Sequence, residues 1–266
     1  MVRRGGWRHG PVYEPGNFWI RFCELVLFPL TRLLGRGRYA GQQHIAVPGP
    51  VLVVGNHISH LDPMYDAVLI RRTGRLPRIM AKASLWKLPV VGRAVRGTRQ
   101  IPVERGGGAG QAGLDAAIRA LADGGVVLIY PEGTITRDPD LWPMRPRPGV
   151  AALALSGDFP VVPMAHWGTH EVFRSYGGDG SRRGRFRPLP RKDVHVLVGP
   201  PLDLSQWRGR PVDARAVRDV SMLIMTAVRD LVGELRGEEP PTAFFDPKKV
   251  ERQQAAARQA EPPAGR

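Results

Sequence analysis

Along the chain, short apolar runs alternate with stretches whose apolar residues recur at helical spacing. The runs are VLVVG (51–55), RIMAKA (78–83), QIPVE (100–104), VVLIYPEG (126–133), PVVPMAHWG (160–168) and VHVLVGPP (194–201). Helical periods lie near 63–72, 111–123, 149–156 and, longest, 212–236, where Gly237 is placed to stop the helix. Continuous Val, Ile and Leu strands are buried on both faces. Their alternation with helices predicts an α/β fold: a single domain over 41–236 with a largely parallel central sheet flanked by helices. The Pro-, Ala- and Gln-rich residues 237–266 are expected to be disordered.

The first forty residues have a different pattern. A basic start precedes NFWIRFCELVLFPLTRLLGRGR (17–38), dense in Phe, Trp and Leu but interrupted by Arg21, Glu24, Pro29 and Arg32. About 20 nearly uncharged apolar residues are needed to cross a bilayer, so this segment is too broken to span one. It suits a helix lying in the membrane interface, with aromatics at acyl depth and arginines at the headgroups. Charges inside the apolar stretch also argue against a signal peptide.

Composition narrows the partners. A chain of 266 residues accommodates one sizeable core. The single cysteine, Cys23, excludes an internal disulfide framework and a Cys-rich zinc site, and reads as a small buried hydrophobe. A net charge of +15 attracts polyanions, with nine Lys or Arg and no acid from Arg71 to Arg99 and six more in RRGRFRPLPRK (182–192). No finger, basic zipper or aromatic RNA-binding strand accompanies them, so anionic membrane lipid or a phosphorylated substrate is expected rather than nucleic acid.

The chemistry gathers where two strands end. VLVVG runs into NHISHLDP, where His57 and Asp62 are five residues apart, about 140° around a regular helix. They can meet only if the chain turns at Gly55-Asn56 and the helix starts at Asp62-Pro63, with Asp62 as its N-cap. His57 then stands at the carboxyl end of a parallel strand, where open α/β sheets place ligands, and Asp62 can orient it as a general base. Ser59 reads as a turn donor, since no nucleophile elbow is present. A metal site built from His57, His60 and Asp62 with His166 or His170 stays open as an alternative. The second strand ends in Pro131-Glu132-Gly133-Thr134, a carboxylate beside a glycine turn whose backbone amides could receive an oxyanion. GTRQIPVER (97–105) is expected to deliver Arg99 and Arg105 to the same edge, as contacts for a phosphate.

These blocks resemble those of the glycerolipid acyltransferases, the 1-acylglycerol-3-phosphate acyltransferase family. NHISHLD is similar to their N-H-x4-D motif, GTRQIPVER to their second block, YPEGT to F-P-E-G-T and FPVVPMAHWG to their fourth, in the family's order over about residues 40–205. The resemblance implies a glycerol-3-phosphate acyltransferase-like fold with an N-terminal membrane-associating element. It also implies transfer of a fatty acyl group from acyl-CoA or acyl-carrier protein to a lysophospholipid, foremost 1-acylglycerol-3-phosphate, without cofactor or metal, at the cytoplasmic face of the cell membrane. By the same resemblance His57 and Asp62 are catalytic, while Asn56, Arg99, Arg105, Glu132, Gly133, Thr134 and Arg137 bind substrate. One departure matters. The family commonly continues E-G-T-R-S, whereas EGTITRD has Ile135 at the arginine position, leaving Arg137, Arg145 or Arg147 to replace it. A different lipid or glycolipid acceptor would also accommodate that change.

Overall fold

The computed structural model describes residues 13–104, 110–175 and 184–252. Helix α1 (Phe18–Leu34) leads into β1 (Gly35–Ala40), followed by β2 (Val51–Gly55), α2 (Asp62–Arg72), β3 (Pro77–Lys82), α3 (Pro89–Gly97) and β4 (Ile101–Val103). The second half comprises α4 (Gly110–Ala122), β5 (Val126–Ile129), α5 (Gly149–Ala154), β6 (Val161–Trp167), α6 (Thr169–Val172), β7 (Phe173–Arg174), β8 (Arg185–Phe186), β9 (Lys192–Val198) and α7 (Ala214–Arg236). The main sheet has the order β1-β9-β6-β2-β5-β3-β4, and β7 and β8 form a separate ribbon. The strands from β6 through β2, β5 and β3 to β4 pair in parallel, whereas β9 runs antiparallel to β6 and carries β1 parallel beside it.

Strand β2 lies at the centre and shows why its sequence is uniformly apolar. Leu52 and Val54 pack with Ala117, Leu153 and Ile224 on one face, while Val51 and Val53 pack with Tyr65, Leu69 and Ile45 on the other. All four are fully buried, the two-faced burial expected of a central parallel strand. Because the chain crosses from β5 to β6 over β2, the carboxyl ends of these three neighbours form the crevice in which α/β sheets bind ligands.

Three boundaries differ from the sequence reading. The sheet starts at Gly35 rather than after residue 40, because GRGRYA pairs with β9 along its whole length. Helix α3 was not anticipated. It packs on α1, where Asn17 caps α1 and also donates to the Gly97 carbonyl at 2.7 Å, and a Cβ on Gly97 would lie 2.1 Å from Trp19. The expectation of disorder from residue 237 is corrected over 238–252. Met144 bridges to Phe245, the Arg145 amide donates to the Phe245 carbonyl at 3.0 Å, and Arg229 lies over the Phe244 ring. Two phenylalanines, together with the Asp246 pairing to Arg145, dock an otherwise polar segment.

Gly168 joins β6 to α6 with φ 100°, and a Cβ there would meet the Asp193 carbonyl at 2.1 Å. Gly168→Ala is therefore expected to destabilise the fold by about 2 kcal/mol, combining left-handed strain with displacement of β9. Urea unfolding midpoints compared at constant m would show it; an unchanged midpoint would mean that the turn is unconstrained.

Candidate active site

Asp62 is the hub. It is fully buried, and its Oδ2 accepts from the Ile58 and Ser59 amides at 2.7 and 2.8 Å and from His57 Nδ1 at 2.8 Å. Thr169 Oγ1 donates to the other oxygen. Asp62 is therefore not the N-cap of α2: Leu61 holds that position, and the carboxylate turns back to close the loop that carries His57. Burial pushes the Asp62 carboxyl up, but nearby His166 and the hydrogen bonds from His57 and Thr169 outweigh it and hold the group below the usual carboxylate range. An ionised Asp62 can only accept, so His57 Nδ1 carries a proton and Nε2 is the ring nitrogen turned away from that pair.

His57 is gripped from other sides as well. Its amide donates to Glu132 Oε1 at 2.9 Å, and its ring stacks on Tyr130 with centroids 4.4 Å apart and 14° between planes. Tyr130 donates from its hydroxyl to Asp66 Oδ2, which also meets His166 Nε2 at 2.9 Å. Burial pulls His166 down, yet the carboxylates of Asp66 and Asp62 outweigh it and lift the group to about 9, while burial pushes the Asp66 carboxyl up, so the pair holds a proton between Asp66 Oδ2 and His166 Nε2. Tyr130, Asp66 and His166 form a platform that the motif reading did not anticipate. Only the i,i+4 spacing of Asp62 and Asp66 on one helix hinted at it.

The remaining expected residues divide. Asn56 is buried and exchanges hydrogen bonds with the backbone of His166, accepting at 2.8 Å and donating at 3.2 Å. It locks β2 to β6 and is not available to substrate. Glu132 likewise works inward, accepting from the Met144 amide at 3.0 Å as well as from His57. Burial raises it to about 8 against the pull of those two amides. Gly133 takes φ 69°, but its own N–H is donated to the Tyr130 carbonyl at 3.0 Å, so this amide does not supply an oxyanion donor. Thr134 lines the groove beside His57. Arg99 is exposed, ends the α3–β4 turn at φ 56°, and lies outside the groove, whereas neighbouring Gln100 bonds to the backbone of Ile79 and Pro77. Arg105 lies outside the described residues. Arg137 is directed to Glu251 at 2.8 Å, and Arg145 is paired with Asp246. Arg147 alone of the three possible substitutes reaches the groove, where its Nε donates to the Glu132 carbonyl at 3.3 Å beside Gly133.

Among the described residues no three His, Cys, Asp or Glu side chains converge as a metal ligand set. His60 bonds instead to Ser175 at 2.6 Å, and His170 packs on Trp167.

His57 opens onto a groove of about 1560 Å³, walled by Leu27 and Phe28 of α1, Met64 and Val68 of α2, Val95 of α3 and Leu114 of α4. Ordinary small-molecule pockets occupy about 300–1,000 Å³, so this one admits a long apolar chain. Cys23, expected in the core, is half-buried and lines the same groove.

A histidine at about 9 when folded, against 6.5 when unfolded, binds its proton more tightly in the folded state. That stabilisation is complete below the unfolded value and is lost as pH rises through the folded one. Glu132, lifted from 4.5 to about 8, acts in the same direction. Asp62, held low, contributes above its ordinary value of 3.8 and loses that contribution on acidification. The melting temperature is therefore expected to fall from about pH 4.5, where Glu132 begins to lose its contribution, to about pH 9, and His166→Gln to flatten the part of that fall above about pH 6.5. A wild-type melting temperature that stays level over this range would contradict these buried protons.

Several known proteins are similar to this chain. The Acyltransferase family matches residues 36–167. N-acylphosphatidylethanolamine synthase of Arabidopsis thaliana is 32% identical over 192 residues, 69% of this chain and 62% of that protein. A 1-acyl-sn-glycerol-3-phosphate acyltransferase of Limnanthes douglasii is 27% identical over 188 residues, 68% of this chain and 61% of its own length. The match thus spans under two thirds of either relative. The crystal structure of the 1-acyl-sn-glycerophosphate acyltransferase PlsC from Thermotoga maritima superposes with a TM-score of 0.62 at 21% identity, covering 84% of this chain and 81% of that one, a likeness of fold. With four motifs in order and three of them meeting around His57, the chain belongs to the glycerolipid acyltransferase family.

Proposed function

We propose that the protein is an O-acyltransferase that moves a fatty acyl group from a thioester, acyl-CoA or acyl-carrier protein, to the free hydroxyl of a lysophospholipid. The observation that carries this reading is the position of His57, held by buried Asp62 and opening onto an apolar groove of about 1560 Å³. The acyl chain lies in the groove and the thioester carbonyl at its mouth. His57 Nε2 takes the acceptor's hydroxyl proton as the oxygen attacks the carbonyl carbon. The tetrahedral intermediate collapses, the C–S bond breaks, and the imidazolium returns its proton to the leaving sulfur. A thiol pKa of about 8.5 makes that departure easy. Asp62 fixes the tautomer and stabilises the imidazolium, and no acyl-enzyme forms.

The acceptor is proposed to be 1-acylglycerol-3-phosphate, with Arg147 and, by family resemblance, Arg105 holding its phosphate. A second reading, an aminolipid acceptor, is favoured by the likeness to the Arabidopsis N-acylphosphatidylethanolamine synthase and by Ile135 in place of the family's arginine.

We place the protein peripherally on the cytoplasmic face of an anionic membrane. Among the described residues no helix is long and apolar enough to cross a bilayer. Helix α1, however, is apolar on two sides: Ile20, Cys23 and Leu27 line the groove, while Phe18 and Leu25 are 71% and 75% exposed. Such a helix bridges groove and lipid.

His57→Ala is expected to lower kcat by about 10²–10⁴ with the fold intact, and Asp62→Asn nearly as far. Retention of more than about a tenth of wild-type kcat by His57→Ala would refute the general base. Arg147→Ala should raise KM for the lysolipid about tenfold or more and leave KM for the thioester unchanged, since a charge-assisted contact is worth about 1.5–3 kcal/mol. Ile135→Arg separates the acceptors: a gain with 1-acylglycerol-3-phosphate supports the phosphate site, and a loss supports the aminolipid.

A further inference from the structure

The basic stretch RRGRFRPLPRK has no part in the chemistry above, although its described portion is rooted beside it. Ribbon strand β7 receives a hydrogen bond from Ser59 Oγ to the Phe173 carbonyl at 2.8 Å, and Ser175, next in the chain, bonds to His60. The base of the ribbon, which follows α6, is therefore hydrogen-bonded to the loop that carries His57. From β8 the chain runs to β9, and Arg191 on the way donates to the carbonyls of Arg32 and Gly35 where α1 ends. Two features of this finger lack an explanation within the fold. Leu189 is 78% exposed, Phe186 is 55% exposed although its ring meets that of Phe173 at 6.3 Å between centroids, and Leu33, which follows the Arg32 whose carbonyl Arg191 reaches, is 70% exposed. Arg174, Arg185, Arg187 and Lys192 also line a concavity of about 420 Å³ that contains a single acid, Glu171. None of these four cations is paired with a carboxylate among the described residues, and neighbouring Asp193 is committed to Arg36 and Arg38. His170, which also lines the concavity, has a buried Nδ1 without a hydrogen-bond partner among the described residues.

Unpaired cations around a hollow, with apolar side chains projecting beside them and a continuous apolar face on the adjoining helix, match the layering of a bilayer surface. We infer that the β7–β8 ribbon and the strap to β9 form a membrane-binding finger. Phe186 and Leu189 enter the acyl layer, and the Arg174–Arg185–Arg187–Lys192 concavity takes the phosphate of an anionic lipid headgroup. The inference rests on the membrane reading above and deepens it: docking of the finger holds the His57 loop against the surface from which the acceptor arrives.

Flotation of the full chain with phosphatidylcholine vesicles, with and without added phosphatidylglycerol, tests it, with circular dichroism and melting temperature confirming that each variant folds. Arg185→Gln/Arg187→Gln should weaken partition to the anionic vesicles about thirtyfold, the loss of two surface cations, and hardly alter partition to neutral ones. Phe186→Ser/Leu189→Ser should weaken both. The α1 variant Phe18→Ser/Leu25→Ser provides the reference for the membrane reading itself. If that variant loses binding while both ribbon variants float like wild type, α1 docks alone and the finger is refuted, with the membrane reading intact. If wild type fails to float with either vesicle, both fall. Inorganic phosphate should compete no better than sodium chloride of equal ionic strength; stronger competition would make the concavity a site for a soluble phosphate and overturn the headgroup assignment.

Discussion

A carboxylate with no access to water must be solvated by the protein, and Asp62 imposes that requirement on everything around it. Its donors come from the Ile58 and Ser59 amides, His57 and Thr169, so satisfying one charge fixes the loop after β2 and the turn after β6 at the same time. Glu132 adds the third strand by accepting from the His57 amide. The ends of β6, β2 and β5 are thus joined through His57 and Asp62, and the imidazole is held in one tautomer and one orientation before any substrate arrives. Preorganisation of this kind lets a weak base act at neutral pH.

A second layer supports the first. His166 and Asp66 hold a proton between them, and Tyr130 donates to the same Asp66 oxygen while stacking on His57. The resembled family commonly has phenylalanine at the Tyr130 position. Here the ring keeps the stacking role, and the hydroxyl finds its partner on α2. Asn56 then ties the His166 backbone to β2, so the motif asparagine acts on the geometry of the platform.

Much of this could be read from the sequence because it depends on local rules. Two-sided apolar strands, the glycine turn at 55 and the Asp-Pro start of α2 were sufficient to bring His57 and Asp62 together. What could not be read depended on distant partners. Asn56 meets His166 across 110 residues, and Tyr130 meets Asp66 across 64, with no periodicity to announce either pair. Arg99 and Arg137 looked suitable by position along the chain, but the left-handed turn after α3 and the docked segment around Phe245 place them outside the groove. Arg147 reaches the groove because the chain returns from the Met144 bridge to donate its amide to the Pro131 carbonyl at 2.9 Å. Strand β1 escaped notice because its alternating glycines and arginines carry an edge strand that needs little apolar surface.

In the proposed reaction His57 promotes direct transfer between two bound substrates with no covalent intermediate on the protein. Rapid-quench mixing of stoichiometric protein with an acyl thioester labelled in its acyl group, with and without the lysolipid acceptor, tests it most directly. Direct transfer predicts that the label stays in the thioester until acceptor is added, then passes to product in one exponential phase with none retained on denatured protein. Stoichiometric label covalently bound to the chain, formed without acceptor and discharged when acceptor is supplied, would contradict it.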